Sequence, residues 1–252
     1  MFLVRSIIIC LLFTLEAHGQ HSTPTKVNTV NKTKSIVLGV IEFPPLVIKD
    51  KDANRCYGDG VESASRLLAH MGYRVLVECL PPARLFQLVG SGEVDATINV
   101  RGTSSLDNKV HFVDIPFDFL SLVMITNKEK ANEKSVAAIR GYDYLGLRHA
   151  LLEDGYTFFD MATSSEAIHL FEIGRTSALV TYEGPYNYYI QQFGATVPQT
   201  VVTRRRDIPT FLAISNHSKY HQQLVTDLKV LTKTIHEKTL KEHVKYSQKT
   251  LN

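Results

Sequence analysis

Two stretches of this chain, Gly92-Glu-Val-Asp95-Ala96-Thr-Ile and Gly174-Arg-Thr-Ser177-Ala178-Leu-Val, repeat one pattern. Each has a glycine that stops a helix, two residues, a small polar residue of N-capping type, an alanine, and a strand. Each also closes a strand–helix–strand unit. In the first unit Ser35 to Ile41 is a short apolar run with β-branched residues, suited to a buried parallel strand. Phe43-Pro44-Pro45 breaks it, and Asp50 to Gly60 reads as a loop. Val61, Ala64, Leu68 and Met71 share one helical face, with Gly72 past its end. Tyr73 to Glu78 is a second strand. Leu85, Leu88 and Val89 mark a second helix after Pro81-Pro82, ending at Gly90 or Gly92, and Asp95 to Val100 is the third strand. Strands alternating with helices in this order indicate a parallel sheet covered by helices, so the fold class is α/β.

The second unit repeats the logic. Val136 to Ile139 is a strand, Gly141 to Glu153 a helix and Tyr156 to Phe159 another strand. Thr163-Ser-Ser-Glu166 has the capping-box pattern and opens a helix that buries Ala167, Ile168 and Phe171, followed by the strand Ser177 to Tyr182. After the strand-like Phe211 to Ile214, Leu224, Leu228, Leu231 and Ile235 predict one long amphipathic helix. A helix returning after the second unit implies that the chain crosses back. The expected architecture is two α/β lobes joined by a two-crossing hinge, with a cleft between them. Residues 35–119 and 212–252 form lobe 1, and residues 120–211 form lobe 2.

Ahead of the first strand the chain reads differently. Met1 to Arg5 carries one positive charge, and Ser6 to Leu15 is an apolar run shorter than the roughly 20 residues that cross a bilayer. With Ala17-His18-Gly19 they predict a signal peptide over 1–19, cleaved before Gln20. Cys10 follows three isoleucines rather than the small residues of a lipid-anchoring signal. Residues 20–34 are polar and aperiodic, a flexible lead-in. Cys56 and Cys79 remain after cleavage, and a disulfide and two buried thiols both stay open.

A net charge of +3 without clustering argues against a nucleic-acid surface. The one dense basic run, Arg204-Arg205-Arg206, reads as a solvated loop. The chain lacks the Gly-x-Ser-x-Gly elbow, the phosphate-binding loop and the His-Glu-x-x-His helix, so no catalytic residue, metal or cofactor is expected.

Four stretches, in order, resemble a known family. Leu85-Phe-Gln-Leu-Val-Gly-Ser-Gly-Glu-Val-Asp95 is similar to a signature of the family 3 extracellular solute-binding proteins, the amino-acid-type receptors of ABC transporters. Val40-Ile-Glu-Phe-Pro-Pro45 resembles their opening strand and loop. Val110 to Phe117 resembles the stretch before their first hinge, and Phe171 to Glu183 resembles their second-lobe strand. The resemblance covers nearly the whole mature chain. It implies a type II periplasmic-binding fold, a periplasmic location, a monomer, a small-molecule ligand and an inner-membrane permease as partner.

The family's receptors carry an arginine after the third strand that pairs with the ligand's α-carboxylate. Here that position falls near Leu106 or Asp107. Arg101, at the third strand's end, is the first candidate to replace it, and Arg84 the second, because a guanidinium grips a carboxylate with two donors. Asn99 lies on the same strand as Arg101. The resemblance puts Glu183 against a ligand ammonium and Gly141-Tyr142 at a helix N-terminus, where free N–H groups favour an anion. Phe43 and Tyr142 are candidate aromatic walls. Two alternatives stand beside transport: a periplasmic sensor, and a lyase of the cyclohexadienyl dehydratase type with Glu183 as acid–base group.

Overall fold

The structure, a computed structural model, describes residues 33–50, 52–53, 55–194 and 200–249. The expected signal peptide and lead-in lie outside the described residues, apart from Thr33 and Lys34. The strands are β1 (Lys34–Val40), β2 (Ile48–Asp50), β3 (Arg55–Tyr57), β4 (Tyr73–Cys79), β5 (Ala96–Val100), β6 (Val110–Phe112), β7 (Asp118–Asn127), β8 (Ser135–Ile139), β9 (Thr157–Met161), β10 (Ala178–Tyr182) and β11 (Thr200–Ser215). The helices are α1 (Asp59–His70), α2 (Pro82–Ser91), α3 (Leu147–Glu153), α4 (Ser164–Glu172), α5 (Glu183–Phe193), α6 (His221–Thr232) and α7 (Leu240–Lys249).

The two halves are built alike. β4, β1 and β5 are parallel, as are β9, β8 and β10, and each trio continues into one antiparallel strand, β11 in the first half and β7 in the second. The repeated sequence pattern serves the same purpose in both. Asp95 is buried; its carboxylate accepts from the Val37 amide at 2.7 Å and from the Ser218 hydroxyl. Ser177 is fully buried; its amide donates to the Ser135 hydroxyl at 2.9 Å and its own hydroxyl reaches the Glu133 carbonyl at 2.8 Å. Each therefore ties the third parallel strand to the first. The backbone matches too, since the amides of Ser215 and Asn127 donate to the carbonyls of Asp95 and Ser177.

The chain has the type II periplasmic-binding fold: two α/β halves linked by two crossing strands. The crossings are β7 and β11, paired antiparallel from Thr200–Asn127 to Thr210–Asp118. β11 then runs on to pair with β5 through Thr210–Ile214. Hydrogen bonding consequently passes unbroken from β4 to β9 in one nine-stranded sheet, where separate lobes lead one to expect two. Packing still separates the halves. Each of the four buried apolar clusters draws its buried residues either from 36–117 with 212–244 or from 122–208.

The structure corrects four local expectations. Asp50 to Gly60 is not all loop: β3 pairs with β2, and α1 already starts at Asp59. These strands are too short to show a period. Cys56 and Cys79 form a disulfide that ties β3 to the end of β4. Arg204-Arg205-Arg206 is not a loop either, because its backbone continues β11 against β7. Gly141 does not begin a helix: Gly141, Tyr144, Leu145 and Gly146 all have positive φ, which no right-handed helix tolerates, and α3 starts only at Leu147. Finally, α6 stops at Thr232, where the hydroxyls of Thr232 and Thr234 take the carbonyls of Lys229 and Leu231. Ile235 is buried beyond that helix end, and a further helix, α7, buries Leu240 and Val244 in the same core. The capping box at Thr163 and Glu166 is present, and α4 buries Ala167, Ile168 and Phe171.

Candidate functional site

In a sheet of this kind ligands meet the carboxyl ends of the parallel strands. Here the ends of β5, β8 and β10 converge on one cleft of about 480 Å³. From the first half it takes Phe86 and the turn Asn99 to Ser105, and from the second half Ile139 to Leu145 and Tyr182. Beside the crossing strands, a smaller space of about 80 Å³ lies among Phe43, Leu46, Ile98, Phe117 and Leu120. Asn99, Val100, Tyr142 and Tyr182 line both spaces.

Four aromatic rings form the wall. The Phe43 ring meets Tyr182 edge-on at 5.2 Å between centroids; Tyr182 lies 6.1 Å from Tyr144, and Tyr144 lies 5.8 Å from Tyr142. Phe43 packs against the cores of both halves. Burial pushes the phenols of Tyr142, Tyr144 and Tyr182 above their ordinary pKa, so all three stay neutral O–H groups. The Tyr144 oxygen accepts from the Ile139 amide at 2.7 Å. The hydroxyls of Tyr142 and Tyr182 have no hydrogen-bond partner among the described residues, and Tyr182 is only 3% exposed.

The loop from Ile139 to Gly146 is held from behind. Arg148 donates from Nε to the Tyr142 carbonyl at 2.6 Å and from Nη2 to the Ile139 carbonyl at 2.9 Å and to Asp160 at 2.7 Å. Asp143 accepts the Gly146 amide at 2.6 Å. These bonds replace the helix expected there and leave Gly141 and Tyr142 on the cleft surface, though not at a helix N-terminus.

The cleft carries two guanidinium groups and one carboxylate, from Arg101, Arg140 and Asp143. Arg101 is already engaged: Nη2 donates to the Val113 carbonyl at 3.1 Å, Asp114 lies 3.5 Å away, and the guanidinium sits 4.3 Å over the Phe211 ring. Arg140 makes only a 3.3 Å bond to the Asp160 carbonyl and has no carboxylate partner among the described residues. Asn99 uses its side-chain oxygen for the Val100 amide and the Thr103 hydroxyl, both at 2.9 Å. Arg84 is exposed on α2, bonds Gln87 at 3.1 Å and does not line the cleft. Glu183 does not line it either; it is the first residue of α5 rather than part of a strand-end loop.

Tyr182, Tyr144 and Arg140 escape a reading of the sequence. Tyr182 looks like one more residue of an apolar strand, and Arg140 like a solvated residue after one. The available signal was positional, since both stand at carboxyl ends of parallel strands.

By sequence the chain matches no family model and no curated protein. Solved structures do resemble it. A histidine kinase sensor domain with similarity to periplasmic binding proteins superposes with a TM-score of 0.65 at 18% identity, over 84% of this chain and 95% of that one. An ancestral arginine-binding protein bound to arginine gives 0.63 at 17% identity, over 79% and 93%. An ABC uptake transporter substrate-binding protein from Streptococcus pneumoniae with bound histidine gives 0.63 at 17%, over 81% and 87%. At such identities the shared property is the fold.

Proposed function

We propose that this chain is a periplasmic solute-binding protein that captures a small carboxylate, an amino acid or a close relative, in the cleft between its halves and presents it to an ABC transporter permease. The lobes in this reading are 35–119 with 212–252, and 120–211. The observation that carries it is the cleft itself: both halves line it, and two crossing strands join them beside it. A ligand bridging the halves has its full set of contacts only when they are close together, so binding favours closure without any chemical step. Arg140 is the clamp best placed for the carboxylate, because its charge is unpaired among the described residues; Arg101 would first have to leave Asp114. Asp143 suits an ammonium. The neutral hydroxyls of Tyr142 and Tyr182 add donors to the carboxylate.

The test is calorimetry and thermal unfolding of the purified protein with single amino acids and organic acids. A ligand that binds only the folded state raises the midpoint with its occupancy. Arg140→Ala should abolish that rise and Arg101→Ala should reduce it; unchanged binding in both variants would refute the clamp. Conversion of prephenate to product would replace the receptor reading with the lyase.

The likeness to a sensor domain favours a second reading, in which the same closure is read by a signalling partner. Co-purification with a permease separates the two.

A further inference from the structure

The smaller space beside the crossing strands narrows the ligand class. It is apolar on nearly every side, and no acidic or basic residue lines it among the described residues. Its polar groups are few and uncharged: the Thr210 hydroxyl donates to the Asp118 carbonyl at 3.0 Å, the Asn99 oxygen already accepts two bonds, and the Tyr142 and Tyr182 phenols are neutral. It adjoins the charged cleft at Asn99, Val100, Tyr142 and Tyr182, which line both. A molecule whose head group sits by Arg140 and Asp143 can place an apolar tail in this space.

Size sets a second limit. An apolar protein cavity of about 150 Å³ accepts benzene with its six carbons. The space here, about 80 Å³, has room for roughly half of that.

From charge and size together we infer that the ligand is a small carboxylate with a branched aliphatic side chain of three or four carbons, of the leucine, isoleucine or valine type or the matching 2-oxo acid. The inference rests on the binding reading above and deepens it. A guanidinium, imidazolium or carboxylate tail would lose its water there without gaining an opposite charge. A bare α-carbon would leave the apolar walls unfilled.

Each buried methylene tightens binding about fourfold, so L-leucine should outbind L-alanine by about sixtyfold. The experiment is calorimetry of the purified protein with L-leucine, 4-methyl-2-oxopentanoate, L-alanine, L-phenylalanine, L-arginine and L-glutamate. The expected result is tight binding of one or both branched compounds and weak or no binding of the others. Val100→Phe fills the junction with the cleft and should weaken the branched ligand at least tenfold. Should that variant fold poorly, Leu120→Ala enlarges the space instead and should shift preference towards L-phenylalanine. Binding of arginine, glutamate or alanine as tight as that of leucine overturns the inference while leaving a receptor in place. If no carboxylate of any class binds, the receptor reading falls, and this one with it.

Discussion

Arg148 offers the sharpest test of how the cleft is held in shape. Its side chain is 18% exposed, and its guanidinium bonds two carbonyls and Asp160 while lying 4.3 Å over the Phe158 ring. Arg148→Met keeps most of the stem and removes every donor. The Tyr142 carbonyl and the Asp160 carboxylate then lose this donor together, and the Ile139 carbonyl keeps only the Tyr142 amide at 3.3 Å. Removing one member of a fully buried pair costs about 3–5 kcal/mol. Asp160 is 37% exposed, so water recovers part of that, and a loss of about 2–4 kcal/mol follows. In a domain of this size each kcal/mol lowers the midpoint by about 2–4 °C, which puts the variant about 5–15 °C below the parent. Urea and thermal unfolding followed by circular dichroism measure it. Arg148→Lys keeps the charge but not the fork and should fall between the two. If Arg148→Met unfolds within about 0.5 kcal/mol of the parent, these contacts do not hold the loop, and the account of why the segment is not helical is wrong.

The two glycines of the repeated pattern should differ. Both have positive φ, but a Cβ on Gly92 would lie 2.2 Å from the His217 carbonyl oxygen, whereas one on Gly174 meets nothing within 4 Å. Gly174→Ala should therefore cost about 1–2 kcal/mol from backbone strain alone, and Gly92→Ala about 3 kcal/mol or more in urea melts. A pH titration of stability tests the contact between α1 and α7. Burial alone would raise the Asp59 carboxyl, yet Lys245 and Lys241 hold it below the usual range. A carboxyl depressed by folding stabilises above its unfolded pKa and loses that contribution as pH falls through the folded value, here below about pH 4. Lys241→Met should flatten the acid limb of the stability curve, and an unchanged limb would contradict the assignment.

Much of the fold is written in local pattern. The glycine, small polar residue and alanine that recur at Gly92 and Gly174 could be read because each residue answers a local demand: a left-handed backbone, a buried hydrogen bond, a tight approach. β7 could not. Its apolar run from Phe119 to Ile125 belongs to no strand–helix–strand unit, and what makes it a strand is pairing with β11, about 80 residues away in sequence. The same long-range pairing turns the three arginines into strand. Of the candidate residues, Asn99, Arg101, Gly141 and Tyr142 line the cleft, as strand ends in parallel sheets facing a crevice lead one to expect. Arg84 and Glu183 do not line it, for one reason: sequence gives the strand end but not the direction in which the next helix turns its side chains. The closeness of Phe43 to Tyr182 depends on how the two halves meet, and no local pattern records that.

The sharing of β11 has a consequence for the nascent chain. The second half takes its antiparallel strand from β7, made just before its own parallel trio, so its sheet can form as those residues leave the ribosome. The first half must wait for Thr210–Ile214, and its core for α6 and α7 after them. Synthesis reaches first the half that is finished last, and until its final segments emerge the edge of β5 that β11 will cover has no strand on it, open to chaperones and proteases.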